Sequence, residues 1–323
     1  MTLPGETFAP DLPPQLTEAP REFAKWANGE LLSEQRNSTP SAPLYHYTGE
    51  ESLRGILQGQ KLWCFSHLHQ SDPTEFQYSL AIARRIIKEE ARRSHAIVAS
   101  NFCLCVDDML AANGLAGPFD FYLFSLSRHR DHGPQWRAYG DLGHGFAIGF
   151  GPALLQPDKD DLYEEANRNI HVGRVIYGED ATGKRHRRAI TRAAEITKRV
   201  GTANHLLLGR PKPMLEYLAA MSRELLSRLL IWECITAKDA GYADEQEVRG
   251  IILNTKKKFD PYRREHKGRS YVEHEMPLKA PGSIAEILVG PRAPPDATAA
   301  VKELLRVEGY PDTVPVRRSY VRV

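Results

Sequence analysis

Apolar residues recur along this chain in two periods, which separate candidate helices from candidate strands. Between residues 74 and 93 the apolar side chains fall at i, i+4, i+7 and i+11 (Phe76, Leu80, Ala83, Ile87), the spacing of one helix face. Similar spacing recurs in several other segments. We predict helices over residues 50–57, 74–93, 96–110, 213–237 and 297–307.

Shorter apolar or alternating runs predict strands. They cover residues 44–48, 61–65, 121–127, 145–150, 171–177, 247–253, 284–289 and 314–323. These strands do not alternate regularly with helices, as a parallel doubly wound sheet requires. We therefore expect an α+β fold with mostly antiparallel sheets and flanking helices.

The N-terminal segment differs from the rest of the chain. Residues 1–43 contain seven prolines, which interrupt regular structure, and residues 21–35 place apolar side chains at helical spacing. We predict a Pro-rich arm over residues 1–43 with one short amphipathic helix. A single domain is expected over residues 44–323.

Overall composition excludes several classes of protein. The chain has 43 basic and 41 acidic residues, a net charge of +2, so no global field favours nucleic acid or an anionic membrane. No run of about 18 apolar residues predicts a membrane span, and four cysteines are too few for a disulfide scaffold. We expect a cytoplasmic protein with buried thiols and no membrane contact.

Positive charge is nevertheless clustered in two places. One run extends from Lys184 to Arg188 and on to Arg199, and a second, over residues 256–269, is interleaved with Tyr262 and followed by Tyr271. Such runs either contact the phosphates of a nucleotide or nucleic acid or form solvated surfaces, and solvated surfaces are the commoner case.

Two familiar kinds of site are not expected. Residues 178–185 are spaced like a phosphate-binding loop, but Arg185 stands where Ser or Thr must reach magnesium, so we predict a surface turn. The close pairs His67/His69, Cys103/Cys105 and His129/His132 have no sequence partners that complete a four-ligand zinc site. We therefore expect no metal.

One dispersed set of residues suggests chemistry on a dinucleotide. His46, a Ser or Tyr and a Glu fall on three predicted strands, where they would orient a ribose and a carboxamide and stabilise an oxocarbenium-like centre. The alternative is that these are satisfied polar residues of strands, with Glu245 and Glu247 on a solvent face. Spacing alone favours this alternative.

The same segments resemble a bacterial family labelled domain of unknown function 2971. The resemblance runs from about Leu44 to the C-terminus, although Ser71 stands where that family usually has Asn, and the label implies no function. It is carried by Leu44 to Thr48, Leu62 to Ser66, Asp72-Pro73-x-Glu75, Phe124 to Ser127, Trp136 to Tyr139, Gly143 to Phe150, Glu245 to Arg249 and Ile287 to Pro291.

The order His-Tyr-Thr, helix, Ile-Leu, Gly, Leu, Ser is also similar to the start of the ADP-ribosyltransferase fold. This resemblance implies His46 in the first motif, Ser125 and Ser127 or Tyr139 in the second, and Glu247 in the third. Glu245 would precede Glu247 as in arginine-directed members. The implied NAD-binding residues are His46, Tyr47, Thr48, Ser125, Ser127, Trp136, Arg137 and Tyr139.

The resemblance implies an NAD-dependent ADP-ribosyltransferase or NAD glycohydrolase, acting as a toxin or defence effector. The acceptor would be a protein or a nucleic acid, held by the basic run at residues 256–269. A non-catalytic module of the same fold that binds nucleotide or nucleic acid is the alternative. A third possibility is a regulatory protein whose Pro-rich arm docks a partner.

Overall fold

A computed structural model describes residues 12–69, 75–113, 119–155 and 170–323. The chain forms two compact units, each assembled from separate stretches of sequence. The helical unit contains residues 12–34, 75–113 and 176–241, and the sheet unit contains residues 35–69, 120–155, 170–175 and 242–323. The arm over residues 1–43 and the single domain over residues 44–323 stay predictions.

Twelve strands lie within the described residues, and ten of them form one sheet. They are β1 (Leu44–Thr48), β2 (Lys61–Ser66), β3 (Phe119–Ser127), β4 (Phe146–Phe150), β5 (His171–Arg174), β6 (Ile176–Tyr177), β7 (Ala237–Lys238), β8 (Glu247–Thr255), β9 (Arg264–His266), β10 (Arg269–Glu275), β11 (Ile284–Val289) and β12 (Val316–Arg318). The large sheet runs β12-β11-β4-β1-β3-β2-β10-β9, with β8 pairing both β3 and β5. β11 and β12 are parallel, whereas the other registered pairs of this sheet are antiparallel. The parallel pair β6-β7 lies in the helical unit.

Helices make up most of the helical unit and flank the sheet in the other. They are α1 (Pro14–Ser38), α2 (Glu50–Gly59), α3 (Glu75–Arg93), α4 (Ile97–Asn113), α5 (Gly133–Ala138), α6 (Glu179–Ala203), α7 (His205–Leu208), α8 (Pro211–Leu225), α9 (Ile231–Ile235), α10 (Lys256–Phe259) and α11 (Ala297–Val307). A π-helical turn, Leu226–Leu230, joins α8 to α9. No helix of the described ranges is long and apolar enough to cross a membrane.

Strand β1 is buried on both faces, with only His46 half-buried. Leu44 packs into the main core of the sheet unit beside Ile148, while Tyr45 and Tyr47 pack into a smaller cluster around Trp136. The register pairs Tyr45 with Ser127. Strand β1 therefore holds the centre of the sheet and fixes the position of the polar end of β3.

The predicted α+β class with a mostly antiparallel sheet is confirmed. The predicted surface turn at residues 178–185 is wrong, because Glu179–Ala203 is one continuous helix that begins after Gly178 at φ 89°. The short helix predicted over residues 21–35 is longer, Pro14–Ser38, and buries Leu16, Phe23 and Leu31. Residues 1–11 of the arm and the Asp72-Pro73 segment lie outside the described residues.

Candidate functional site

The second and third motif segments meet in the sheet because β3 and β8 are neighbouring strands. Ser125 Oγ on β3 donates a 2.5 Å hydrogen bond to Glu247 Oε1 on β8. The two residues are separated by more than a hundred positions in sequence, so sheet topology alone creates this contact.

Glu247 is also held by Arg249, two residues further along β8 and therefore on the same face of the strand. Arg249 Nε donates to Glu247 Oε1 at 2.9 Å, and Nη2 donates to Oε2 at 3.0 Å. Both side chains are about 95% buried, at 4% and 5% exposure. The Glu247 carboxylate therefore has a fixed geometry, with both oxygens engaged.

His46 reaches the backbone of this group rather than its side chains. Its Nδ1–H donates to the carbonyl oxygen of Ser125 at 3.1 Å. Burial lowers the pKa of His46, so the imidazole is neutral at neutral pH. Because strand residues alternate, His46 faces away from Tyr45 and Tyr47. Its connection to Glu247 passes through both the backbone and the side chain of Ser125.

Glu245 is the more accessible of the two motif carboxylates. It is half-buried, and Tyr139, which is 41% exposed, donates from its hydroxyl to Glu245 Oε1 at 3.0 Å. Ser127 Oγ donates to the Glu245 carbonyl oxygen at 2.8 Å and accepts from the His129 amide at 3.1 Å. Ser127 and Tyr139, the two candidates for the second motif, thus both contact Glu245.

The expected dinucleotide-lining residues divide into buried and exposed groups. Trp136 is fully buried, lies edge-on to Tyr47 at 4.9 Å, and donates from Nε1 to Asp131 at 2.7 Å. Tyr47 and Thr48 are also buried. Arg137, by contrast, is exposed. Only the exposed group is accessible to a ligand in this conformation.

Sequence reasoning missed a charged cluster around Glu286 on β11. Glu286 accepts from the Tyr45 hydroxyl at 2.8 Å and from Arg130 in a two-point contact at 2.7 and 2.8 Å. Burial and this carboxylate raise the pKa of Tyr45 to about 12. Burial alone would raise the pKa of Glu286, but Arg130 and Tyr45 lower it. No short sequence motif joins these three residues.

A second missed grouping lies on the loop between β3 and α5. His129 and His132 stack with ring centroids 4.2 Å apart, and His132 Nε2 lies 3.4 Å from Asp244 Oδ2. Burial lowers the pKa of His132, assisted by the charges of His129 and Arg137 and opposed by that of Asp244. The sequence singled out the His129/His132 pair but not Asp244. Of the other two close pairs, His67 and His69 lie in a 3-10 turn, and Cys103 and Cys105 lie on α4.

The two basic runs differ in the structure. Along α6, arginines pair with acidic residues of the same unit, including Arg185 with Glu34 at 2.6 Å and Arg188 with Glu30 at 2.7 Å. Near the second run, Trp63 stacks on Tyr271 with centroids 4.3 Å apart. The guanidinium of Arg269 lies 4.1 Å from the Phe65 ring centre. The first run is thus neutralised by its neighbours, and the second adjoins an aromatic surface.

The helical unit contains a Ser-His-Glu arrangement that resembles a hydrolase triad. Ser79 Oγ lies 2.9 Å from His186 Nε2, and His186 Nδ1 lies 2.9 Å from Glu233 Oε2. All three residues have 0% exposure. A nucleophile must reach its substrate, so this arrangement belongs to the packing of the helices.

A family model described as "Protein of unknown function (DUF2971)" matches residues 135–250. This range contains three of the segments that carry the expected resemblance, Trp136 to Tyr139, Gly143 to Phe150 and Glu245 to Arg249. The extension of the resemblance to Leu44 and to the C-terminus stays a prediction. No curated protein and no solved structure matches the chain.

Proposed function

We propose that this chain cleaves the bond between nicotinamide and ribose in NAD and transfers ADP-ribose to water or to an acceptor. The family match itself assigns no activity. The observation that carries the proposal is the pairing of β3 with β8, which joins Ser125 to Glu247 and Ser127 to Glu245. An ADP-ribosyltransferase-like core is part of this proposal.

The two carboxylates take different roles. Glu245 is accessible and carries the Tyr139 hydroxyl, so it is the catalytic residue that approaches the ribose. Glu247 is buried against Arg249, so it is a positioning residue that fixes the hydroxyl of Ser125. The sequence-based expectation assigned the catalytic role to Glu247. Because Glu247 is buried and paired with Arg249, we assign that role to Glu245 instead.

The reaction balances without a redox partner. The C1′–nitrogen bond breaks and its electron pair leaves with neutral nicotinamide, while the carboxylate charge stabilises the positive centre at C1′. An acceptor oxygen or nitrogen then bonds to C1′ and gives its proton to Glu245. Exposed Arg137 offers a cation to the dinucleotide phosphates.

The test is nicotinamide release from NAD, followed by mass spectrometry with and without cell lysate as acceptor source. Glu245→Gln removes the charge of an accessible residue, and we expect release to fall by about 10²-fold or more. Tyr139→Phe, which removes only the phenolic donor, should reduce it by about 10-fold. Glu265→Gln changes an exposed carboxylate on the distant strand β9 and is the matched control.

Release at an unchanged rate in Glu245→Gln would overturn the assignment of that residue. No release from the wild-type protein in either condition would overturn the NAD proposal as a whole. Glu247→Gln is preferable to Glu247→Ala for the second carboxylate, because the amide oxygen can still accept from Ser125 Oγ and Arg249 Nε, although the amide nitrogen cannot accept from Arg249 Nη2.

A second candidate function is binding of single-stranded nucleic acid without catalysis. It is favoured by the Trp63–Tyr271 stack beside Arg269, since aromatic side chains and cations together bind bases and phosphates. Trp63→Leu should weaken oligonucleotide binding in fluorescence anisotropy, while Tyr320→Leu, at an 88% exposed position elsewhere, should not. Binding that is equally strong at low and high salt would contradict this candidate.

A further inference from the structure

We propose that His129, His132 and Asp244 form a binding site for one divalent transition-metal ion of the zinc type. Each residue offers one ligand atom, and the three atoms lie within 4.8 Å of one another. Two imidazoles and one carboxylate are a donor set that such ions accept, whereas magnesium and calcium prefer oxygen alone. The site lies within the sheet unit and does not rest on the proposed NAD chemistry.

The spacing is close to what an ion requires. A tetrahedral ion with bonds of about 2.1 Å holds its ligand atoms about 3.4 Å apart. His132 Nε2 and Asp244 Oδ2 are already 3.4 Å apart. The imidazole of His129 stacks on that of His132 at an interplanar angle of 21°, and its ligand atom lies within 4.8 Å of the other two.

Buried ring nitrogens provide a second and independent observation. Among the described residues, neither Nε2 of His129 nor Nδ1 of His132 has a hydrogen-bond partner, although both atoms are shielded from solvent. A buried polar atom without a partner is costly, and an imidazole nitrogen that lacks a hydrogen is satisfied equally well by a metal. His129 Nε2 is therefore an available ligand atom for the ion, whereas His132 Nδ1 points away from its Nε2, the ring nitrogen that faces Asp244.

The loop that carries the two histidines is fixed at several points. Tyr47 donates to the His129 carbonyl at 3.0 Å and accepts from the His132 amide at 3.2 Å. Between them, Asp131 accepts 2.7 Å hydrogen bonds from Trp136 and Ser319. Supporting contacts of this kind hold ligands in position and tune metal affinity.

Asp244 is brought to this loop by the extension of the β3–β8 pairing. The Arg128 amide donates to the Gln246 carbonyl oxygen at 3.2 Å, which holds the segment before β8 against the segment after β3. The Asp244 side chain is 70% exposed, so the ion would be open to solvent on that side. Three protein ligands leave a coordination position for water or for an oxygen of a bound molecule.

The experiment is a titration of the full-length protein, stripped with EDTA and dialysed, with Zn²⁺ by calorimetry and with Co²⁺ by visible absorption. We expect one site with a dissociation constant of about 1 μM or tighter. Asp244→Ala removes an exposed ligand and should weaken binding by at least about 100-fold. His144→Asn, an exposed histidine outside the cluster, is the matched control and should leave the affinity unchanged.

His132→Ala provides a second arm, with far-UV circular dichroism to confirm that the protein remains folded. Saturable 1:1 binding that is lost in Asp244→Ala and His132→Ala and retained in His144→Asn supports the site. No 1:1 binding by the wild-type protein, or equal affinity in Asp244→Ala and the control, would overturn it.

Discussion

His186 and Glu233 meet in the interior of the helical unit, where Nδ1 and Oε2 lie 2.9 Å apart with no exposed surface on either side chain. Burial alone would lower the pKa of His186, but Cys234 and Glu233 outweigh it and raise the pKa to about 9. A histidine buried in this way stays charged well above neutral pH.

This pair predicts a pH-dependent stability. The unperturbed pKa is 6.5, so the protonated imidazole stabilises the fold fully below pH 6.5, and this contribution is lost as the pH rises through about 9. It amounts to at most about 3 kcal/mol of unfolding free energy. Urea denaturation at pH 6, 7.5 and 9.5 should show the decline, and Glu233→Gln should flatten it. Parallel pH profiles for the two proteins would contradict the assignment.

Glu247 and Arg249 should respond differently to single and paired replacement. Glu247→Ala removes the carboxylate that both Arg249 Nε and Nη2 contact, and we expect a loss of about 3–5 kcal/mol. Replacing both, with Glu247→Leu and Arg249→Met, removes the buried guanidinium as well and should recover most of that loss. Urea denaturation measures each variant. A double variant that is no more stable than Glu247→Ala would show that the guanidinium is satisfied elsewhere.

Two glycines make a matched pair for backbone packing. A Cβ on Gly151 would overlap the carbonyl oxygen of Gly282, whereas one on Gly55, in the middle of α2, would meet nothing within 4 Å. Gly151→Ala should cost about 1–3 kcal/mol, and Gly55→Ala should add about 0.5–1 kcal/mol. Thermal melts that shift in the same direction for both variants would be inconsistent with this packing.

Tyr47 links the centre of the sheet to the proposed metal loop. Burial raises the pKa of its phenol, so the hydroxyl remains protonated and can donate to His129 while it accepts from His132. Tyr47→Phe should lower the free energy of unfolding by about 1–2 kcal/mol and the affinity for Zn²⁺ by about 10-fold. A loss of stability with unchanged zinc affinity would limit Tyr47 to a structural role.

Local pattern predicted most of the elements, because each depends on residues close in sequence. Residues 44–48, 284–289 and 297–307 form the expected strands and helix with the same bounds. The β9–β10 hairpin was missed because its charged residues were interpreted as a basic run. The sequence signal that could have identified the hairpin is the Lys267-Gly268 dipeptide. In the structure these two residues form the turn, with φ values of 50° and 73°.

The candidate site was less predictable, because strand pairing decides it. His46, Ser125 and Glu247 were expected on three strands, but nothing local shows that β8 lies beside β3. The burial of Trp136 and the clustering of Asp244 with His129 also follow from contacts over long sequence distances. The chemical types of the candidate site residues could be recognised in the sequence, whereas their exposure to solvent could be known only from the fold.

The chain leaves the sheet unit twice and each time returns to a neighbouring strand. Strand β2 pairs with β3 and β5 pairs with β8, although long helical stretches separate the members of each pair in sequence. Paired strands lie about 4.8 Å apart, a gap that a two-residue turn can close. In topological terms, residues 75–113 and 176–241 are insertions, each placed between two antiparallel strands of the sheet that pair with one another. The matched range 135–250 begins and ends in the sheet unit and includes the second insertion, residues 176–241, which belongs to the helical unit. The match therefore covers parts of both units and does not enclose a separable folding unit.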